Sequence, residues 1–259
     1  SNYITALCAA RKDAVGFVSP QRAATANASA PATDVATWRT ALTSTSYGFA
    51  DSGSLYVYDK YNDKYIHIPA ASSTAGLCAA TDNNFAPWVS PAGTRRGQYF
   101  GVTGLTYNPN KSQRDQLYRN GINPITNMPG NGILLFGDKT HLDRPSAFDR
   151  INVRRLFLSL ERTVQKTLRY FVFEPNTDFT RNRAKNVITP AFEFARNTDG
   201  LYDYLIVCDD RNNSALNVDN NELIVDIYIK PVRTAEFILI NFIATRTSQN
   251  FQELIQLAN

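Results

Sequence analysis

Histidine is almost missing from this 259-residue chain, which has only His67 and His141. The side chain best suited to moving protons near neutral pH is therefore scarce. Cysteine is scarce as well. Cys8, Cys78 and Cys208 are far apart, odd in number and in no metal-binding spacing, so they read as three buried thiols of a protein made in a reducing cytoplasm. No G-x-S-x-G, H-E-x-x-H or paired-cysteine motif occurs. No apolar run reaches the roughly 18 residues that span a bilayer, and the amino end carries no secretory or transit pattern. Methionine occurs once, at Met128, and the chain opens on Ser1, which predicts a fragment or a processed product. The formal charge of +4 is too small to argue for nucleic acid.

What the chain has in quantity is aromatic residues, 13 tyrosines and 15 phenylalanines, which favour sheets and contact surfaces. "AVGFV" (residues 14–18) predicts a short buried strand. The small-residue stretch "RAATANASAPATD" reads as a loop, with Thr33 or Asp34 capping a helix over 35–42. "SLYVYDKYNDKYIHIP" alternates on both sides of Tyr61-Asn62-Asp63, a hairpin signal. "SSTAGLCAATD" predicts a closely packed helix, and "PWVSPAGTRRGQ" a joint between two parts of the molecule. In "NPNKSQRDQLYRNG" we expect Asn108 to cap a helix, Pro109 to sit in its first turn and Gly121 to end it. "INPITNMPGNGILLFGD" reads as strand, glycine turn and buried strand. Two helices follow, 151–171 and 177–196, the second interrupted at Pro190, then the strand "YDYLIVCD". No internal repeat and no regular βαβ alternation occur, so the fold class is α+β (mixed α/β) with two sheet-and-helix domains.

Two stretches imitate functional motifs. "GILLFGDKT" (residues 132–140) resembles a phosphate-binding loop, but Asp138 intrudes before Lys139 and the intervening residues are apolar, so it reads as a buried strand and a turn. "DDRNNSALNVDNNE" (residues 209–222) is rich in oxygen ligands but lacks calcium-loop spacing, and turns between strands explain it. His67, between Ile66 and Ile68, reads as an ordinary exposed histidine. No catalytic residue, metal or cofactor site emerges.

The helix "INVRRLFLSLERTVQKTLRYF" is more informative. At about 100° per residue Val153, Leu156, Phe157, Leu160, Val164, Leu168 and Phe171 share one face. Arg155, Arg162, Lys166 and Arg169 form a stripe opposite, with Leu158 among them. A solvated outer face is one reading; an acidic protein partner is the other, because the stripe lacks balancing glutamates. Near the end, "NELIVDIYIKPVRTAEFILINFIATRT" reads as two strands broken by Pro231. Leu223, Val225, Ile227 and Ile229 face one way in the first. Phe237 and Leu239 share a side of the second, which is apolar on both faces, as a central strand is. An apolar edge left open there predicts a strand donated by another chain.

Several segments, in order, resemble the C-terminal region of contractile tail sheath proteins of myovirus-type, T4-like bacteriophages. They are "YDKYNDKY", "TAGLCAATDN", "SPAGTRRGQ", "INP" with "GDKT", "FDRINVRRLF", "VCDDRNN" and the closing hairpin. The likeness runs through nearly all 259 residues and is weakest at 23–33 and in the last ten; the family's larger amino-terminal portion is missing. It implies a structural protein without catalysis, its subunits forming hexameric rings stacked helically round a tail tube and contracting on a baseplate signal. It implies a partial middle domain at 1–92 and a C-terminal, tube-proximal domain at 93–259, whose sheet is completed by arms of neighbouring subunits. On that basis Arg155, Arg162, Lys166 and Arg169 are the expected tube contacts, and Leu223, Val225, Ile227, Ile229, Phe237 and Leu239 the expected site of strand augmentation. The implied partners are further copies, the tube protein, the baseplate and the tail terminator, with no nucleic acid. The implied location is the virion tail after assembly in the host cytoplasm; the chain alone is expected to be a monomer. A virion receptor- or glycan-binding module is the alternative.

Overall fold

The computed structural model of the chain describes residues 1–236. Its elements are α1 (Asn2–Arg11), β1 (Gly16–Val18), α2 (Pro31–Thr40), β2 (Gly48–Ala50), β3 (Ser54–Asp59), β4 (Lys64–Pro69), α3 (Ala71–Asn84), β5 (Val102–Leu105), α4 (Lys111–Arg119), β6 (Ile125–Met128), β7 (Gly132–Leu135), α5 (Ile151–Leu168), α6 (Asp178–Asn197), β8 (Leu201–Val207), α7 (Ala215–Asp219) and β9 (Asp226–Pro231). Helices and small sheets mix, as the α+β reading expects.

The hairpin predicted around Tyr61 forms: β3 and β4 pair antiparallel from Ser54↔Pro69 to Asp59↔Lys64. On its other side β3 takes β5 as an antiparallel partner. That sheet therefore crosses the division expected at residues 92 and 93. One core, with Phe49, Leu55, Tyr99, Ile125, Leu135 and Ile151, likewise draws on both sides of it. The segment read as a joint folds back onto β7: the Gly93 N–H donates to the Leu135 carbonyl and the Leu135 N–H to the Gly97 carbonyl. A Cβ on Gly97 would stand 2.8 Å from that Leu135 oxygen, which is why glycine sits there. β6 and β7 pair antiparallel across a turn with Gly130 at φ 80° and Gly132 at φ 73°.

The second core joins α5, α6, β8 and β9 through Leu156, Leu160, Ile188, Phe192, Leu201 and Ile206. Trp88 reaches into it from the first half of the chain, its indole N–H donating to the Thr198 carbonyl at 2.9 Å. The helix α5 turns the predicted face inward: Val153, Leu156 and Leu160 are buried, Val164 and Leu168 half-buried. Phe157 stacks edge-on against Phe148.

Three local expectations are corrected. The helix α2 starts at Pro31, whose fixed φ suits a first helical position, and not after Thr33 or Asp34; Asp34 lies in its first turn. The cap of α4 is Asn110 and not Asn108. Asn110 accepts from the Gln113 N–H while Gln113 accepts from the Asn110 N–H, a reciprocal box that leaves Pro109 outside the helix. Asn108 instead accepts the Asn127 N–H at 3.0 Å. Finally, α6 runs through Pro190 without interruption. Pro190 and Asn186 are both on the exposed side, where water can take the carbonyl that the proline leaves free.

Candidate functional site

Basic side chains crowd one side of α5, but the four expected together do not stay together. Arg162, Lys166 and Arg169 are exposed. Arg155 is a correction: it is 7% exposed and bonded to the Cys78 and Val89 carbonyls and to the Asp82 carboxylate. A helical wheel gives the angle of a residue but not what covers it along the axis. The first turns of α5, Ile151 to Leu156, are buried throughout, under the segment from Ala86 to Val89 and the loop at Ser46 and Tyr47. Burial lowers the Arg155 pKa from its ordinary value and, beside it, pushes the Cys78 thiol up to about 11. The exposed stripe begins only at Arg162, whose guanidinium also reaches the Asp13 carbonyl at 3.1 Å.

The ribbon of β8 and β9 is the second candidate surface. It pairs antiparallel, Tyr204 opposite Ile229 and Ile206 opposite Ile227. Val225, Ile227 and Ile229 pack on the second core, while Tyr228 and Lys230 are exposed, matching the predicted faces. Leu223 is half-buried ahead of β9. Phe237 and Leu239 lie outside the described residues. Among the described residues β8 has β9 as its one strand partner, and a two-stranded ribbon is at best marginal alone. Its outer face carries Tyr202 at 70% and Leu205 at 53% exposure. The Tyr204 N–H donates to the Asp203 carboxylate at 2.9 Å.

The motif-like stretches resolve as structure. Ile133, Leu134 and Leu135 of "GILLFGDKT" are buried in β7. Lys139 donates to the Tyr118 carbonyl at 2.8 Å and sits over the Tyr118 ring. Asp138 is buried, accepting from Ser90 and Thr234; burial raises its pKa against those hydrogen bonds and the nearby Arg150. Arg150 and Tyr118 also hold Glu236. No local sequence pattern marks this cluster, because its members lie up to 146 residues apart (from Ser90 to Glu236). The Asx-rich loop is closed by its own side chains: Asn213 bonds the Ile224 N–H and carbonyl, and Asn212 the Val207 carbonyl. The Arg211 guanidinium holds the Asp209 carboxyl down at about 2. Among the described residues no cluster of three metal-ligating side chains occurs.

Of the histidines, His67 is half-buried against Tyr56 and not fully exposed as expected. His141 is wholly buried with neither ring nitrogen bonded, and burial lowers its pKa to about 3. All three cysteines are buried free thiols, as the sequence predicts.

The phage tail sheath protein central domain matches residues 1–141, and the phage tail sheath C-terminal domain residues 143–245. The tail sheath protein of Vibrio phage KVP40 is 41% identical over 95% of this chain, and that of Enterobacteria phage T4 is 39% identical over 99%. The chain spans only 39% and 40% of those two proteins. A chain of the anti-feeding prophage baseplate, solved by cryo-electron microscopy, superposes with a TM-score of 0.75 at 22% identity, covering 92% of this chain and 63% of that one. The contracted sheath complex of the PVC extracellular contractile injection system superposes with a TM-score of 0.71 at 25% identity, covering 83% and 59%. None of these is a receptor- or glycan-binding module. With one sheath domain matching more than half of the chain and a second following it, the chain belongs to the phage tail sheath protein family.

Proposed function

We propose that this chain is part of a sheath subunit of a contractile phage tail. The subunit assembles in the host cytoplasm as hexameric rings stacked helically round a tail tube, between baseplate and terminator. It acts without catalysis. The extended lattice holds conformational free energy, which passes from ring to ring on contraction and drives the tube through the host envelope. The observation that carries this is the pair of sheath domains matching in order across residues 1–245.

Two surfaces support the reading. The β8–β9 ribbon, with its inner face on the core and its β8 edge unpaired among the described residues, suits strands donated by neighbouring subunits. Head-to-tail contacts of that kind build open helices. The exposed cations Arg162, Lys166 and Arg169 suit an acidic tube wall, with Arg155 serving the fold instead.

Electron microscopy of the full-length protein, beside the 259-residue chain, tests the assembly. Striated hollow tubes from the former and monomers from the latter are expected; single particles from the full-length protein even with tubes and baseplates present would overturn it. Reversing charge at Arg162, Lys166 and Arg169 together should weaken co-sedimentation with tubes while the fold holds. Undiminished co-sedimentation sinks the stripe assignment alone.

A further inference from the structure

A cleft of about 460 Å³ opens where the chain passes from the first matched sheath domain to the second. One wall is α2 and the end of α4, the other is the loop from Leu142 to Pro145, and Lys139 and Arg150 also line it. That volume is within the range of small-ligand sites. Five cations, Arg39, Arg119, Lys139, Arg144 and Arg150, face two carboxylates. Both carboxylates are already engaged, Asp143 by Arg39 at 2.7 Å and Asp149 by Arg150 at 3.3 Å. Arg119, Lys139 and Arg144 have no carboxylate partner among the described residues. Burial lowers the pKa of Arg39 and of Lys139, and the Arg150 charge lowers that of Lys139 further. Like charges crowded into one concave site focus their field on an anion between them.

The walls are built to admit one. Gly121, at φ 71°, has no side chain to fill the space beside Arg39; a Cβ there would stand 3.7 Å from its Nε, which is buried without a hydrogen-bond partner. The carbonyls at the end of α4, which would repel an anion, are covered. Asn120 takes that of Gln116, the Ile122 N–H that of Leu117 and the Lys139 ammonium that of Tyr118. Behind the cleft the Thr140 N–H donates to the Asp149 carbonyl at 2.9 Å and fixes one segment to the other. A single carboxylate would balance only one of the three unmatched cations. A chain of phosphoryl groups carries several charges within a few ångströms, and its oxygens match the forked donors of arginine. No aromatic side chain lines the cleft, so it offers a nucleobase nothing to stack on.

We infer that this cleft binds a chain of phosphoryl groups, the chemistry shared by inorganic polyphosphate and the triphosphate of a nucleotide. Arg119 at the end of α4 and Arg144 in the facing loop hold it from opposite sides. Bound there, it ties the loop that opens the second domain to α2 and α4 of the first.

Calorimetric titration of the 259-residue chain with tripolyphosphate, and separately with ATP, in magnesium-free buffer, tests this. Saturable binding of both at comparable affinity is expected. At a hundredfold excess over its dissociation constant, tripolyphosphate should raise the thermal midpoint by roughly 5–10 °C. Arg119→Gln and Arg144→Gln change exposed side chains that the fold does not need, and each should weaken binding about tenfold. Amide exchange should slow on binding at residues 36–40 and 142–150 and stay unchanged in α6. The pair Arg162→Gln with Lys166→Gln removes two charges from the α5 stripe and should leave binding intact. If that pair costs as much as Arg119→Gln with Arg144→Gln, the anion answers to net charge alone and the inference falls. Absence of saturable binding up to about 1 mM also overturns it. ATP bound at least tenfold more tightly than tripolyphosphate would uphold the site and assign its ligand to nucleotides. Loss of polymers of the full-length protein in the Arg119→Gln, Arg144→Gln variant, with no anion bound by the wild type, would make the cleft a contact between copies and refute the assignment.

Discussion

Replacing Asp51 with asparagine should stabilise this protein, and by an amount that grows with pH. Asp51 is 1% exposed, between the Ser19 hydroxyl at 2.7 Å and the Gly53 N–H at 3.1 Å. Burial outweighs those two hydrogen bonds and raises its pKa from 3.8 to about 7. Between those values the folded state holds a proton that the unfolded state has released. Stability contributed by this site therefore falls as pH rises, by about 1.4 kcal/mol per unit, and levels off above pH 7 after a loss of about 4 kcal/mol. His141 runs the other way. Its pKa drops from 6.5 to about 3, so the unfolded state binds the extra proton and stability is lost as pH falls through that window. From about pH 4 to 6.5 the two contributions cancel in the wild type, one proton passing from an unfolded histidine to a folded aspartate. Each substitution should uncover the other group. In urea titrations at pH 4 to 8, Asp51→Asn minus wild type should rise with pH and then level off. His141→Leu, which also removes two unbonded ring nitrogens, should gain relative to wild type as pH falls. Differences against wild type remove the part due to Asp138, whose raised pKa acts with that of Asp51. A difference for Asp51→Asn that stays flat from pH 4 to 8 would refute the argument, since Asp51 would then ionise as it does in water.

The two ends of the α5 basic row should behave differently. Arg155→Met strands the buried Cys78 and Val89 carbonyls and should cost about 2–4 kcal/mol in denaturation midpoint measurements. Arg162→Ala should stay within about 0.5 kcal/mol. Equal costs would refute the division of the row. At Gly200 a Cβ would stand 2.8 Å from the Trp88 ring, which its bond to Thr198 keeps from moving aside. Gly200→Ala should therefore cost about 1–3 kcal/mol by overpacking, and an unchanged thermal midpoint would show that the indole can shift.

What the sequence disclosed and what it hid follow from the range of the forces involved. The β3–β4 hairpin, the β6–β7 turn with its glycines, and the inner face of α5 were legible because periodicity and turn chemistry act over a few residues. Resemblance added the family, which no single motif carried. Arg155 misled for the opposite reason. Its angle on the helix matches that of Arg162 and Lys166, but segments 60 or more residues away cover the first turns of α5 and stop short of the last. The same limit hid the exposed aromatics that follow α5. The angle of Phe171 puts it on the core face and it is half-buried, while its neighbours Tyr170, Val172 and Phe173 are exposed past the point where that core ends. Along α5 the periodic pattern is thus continuous and the burial is not. The two part company at a buried arginine at one end and at exposed aromatics past the other, because the segments packed over α5 cover its first turns and stop short of its last.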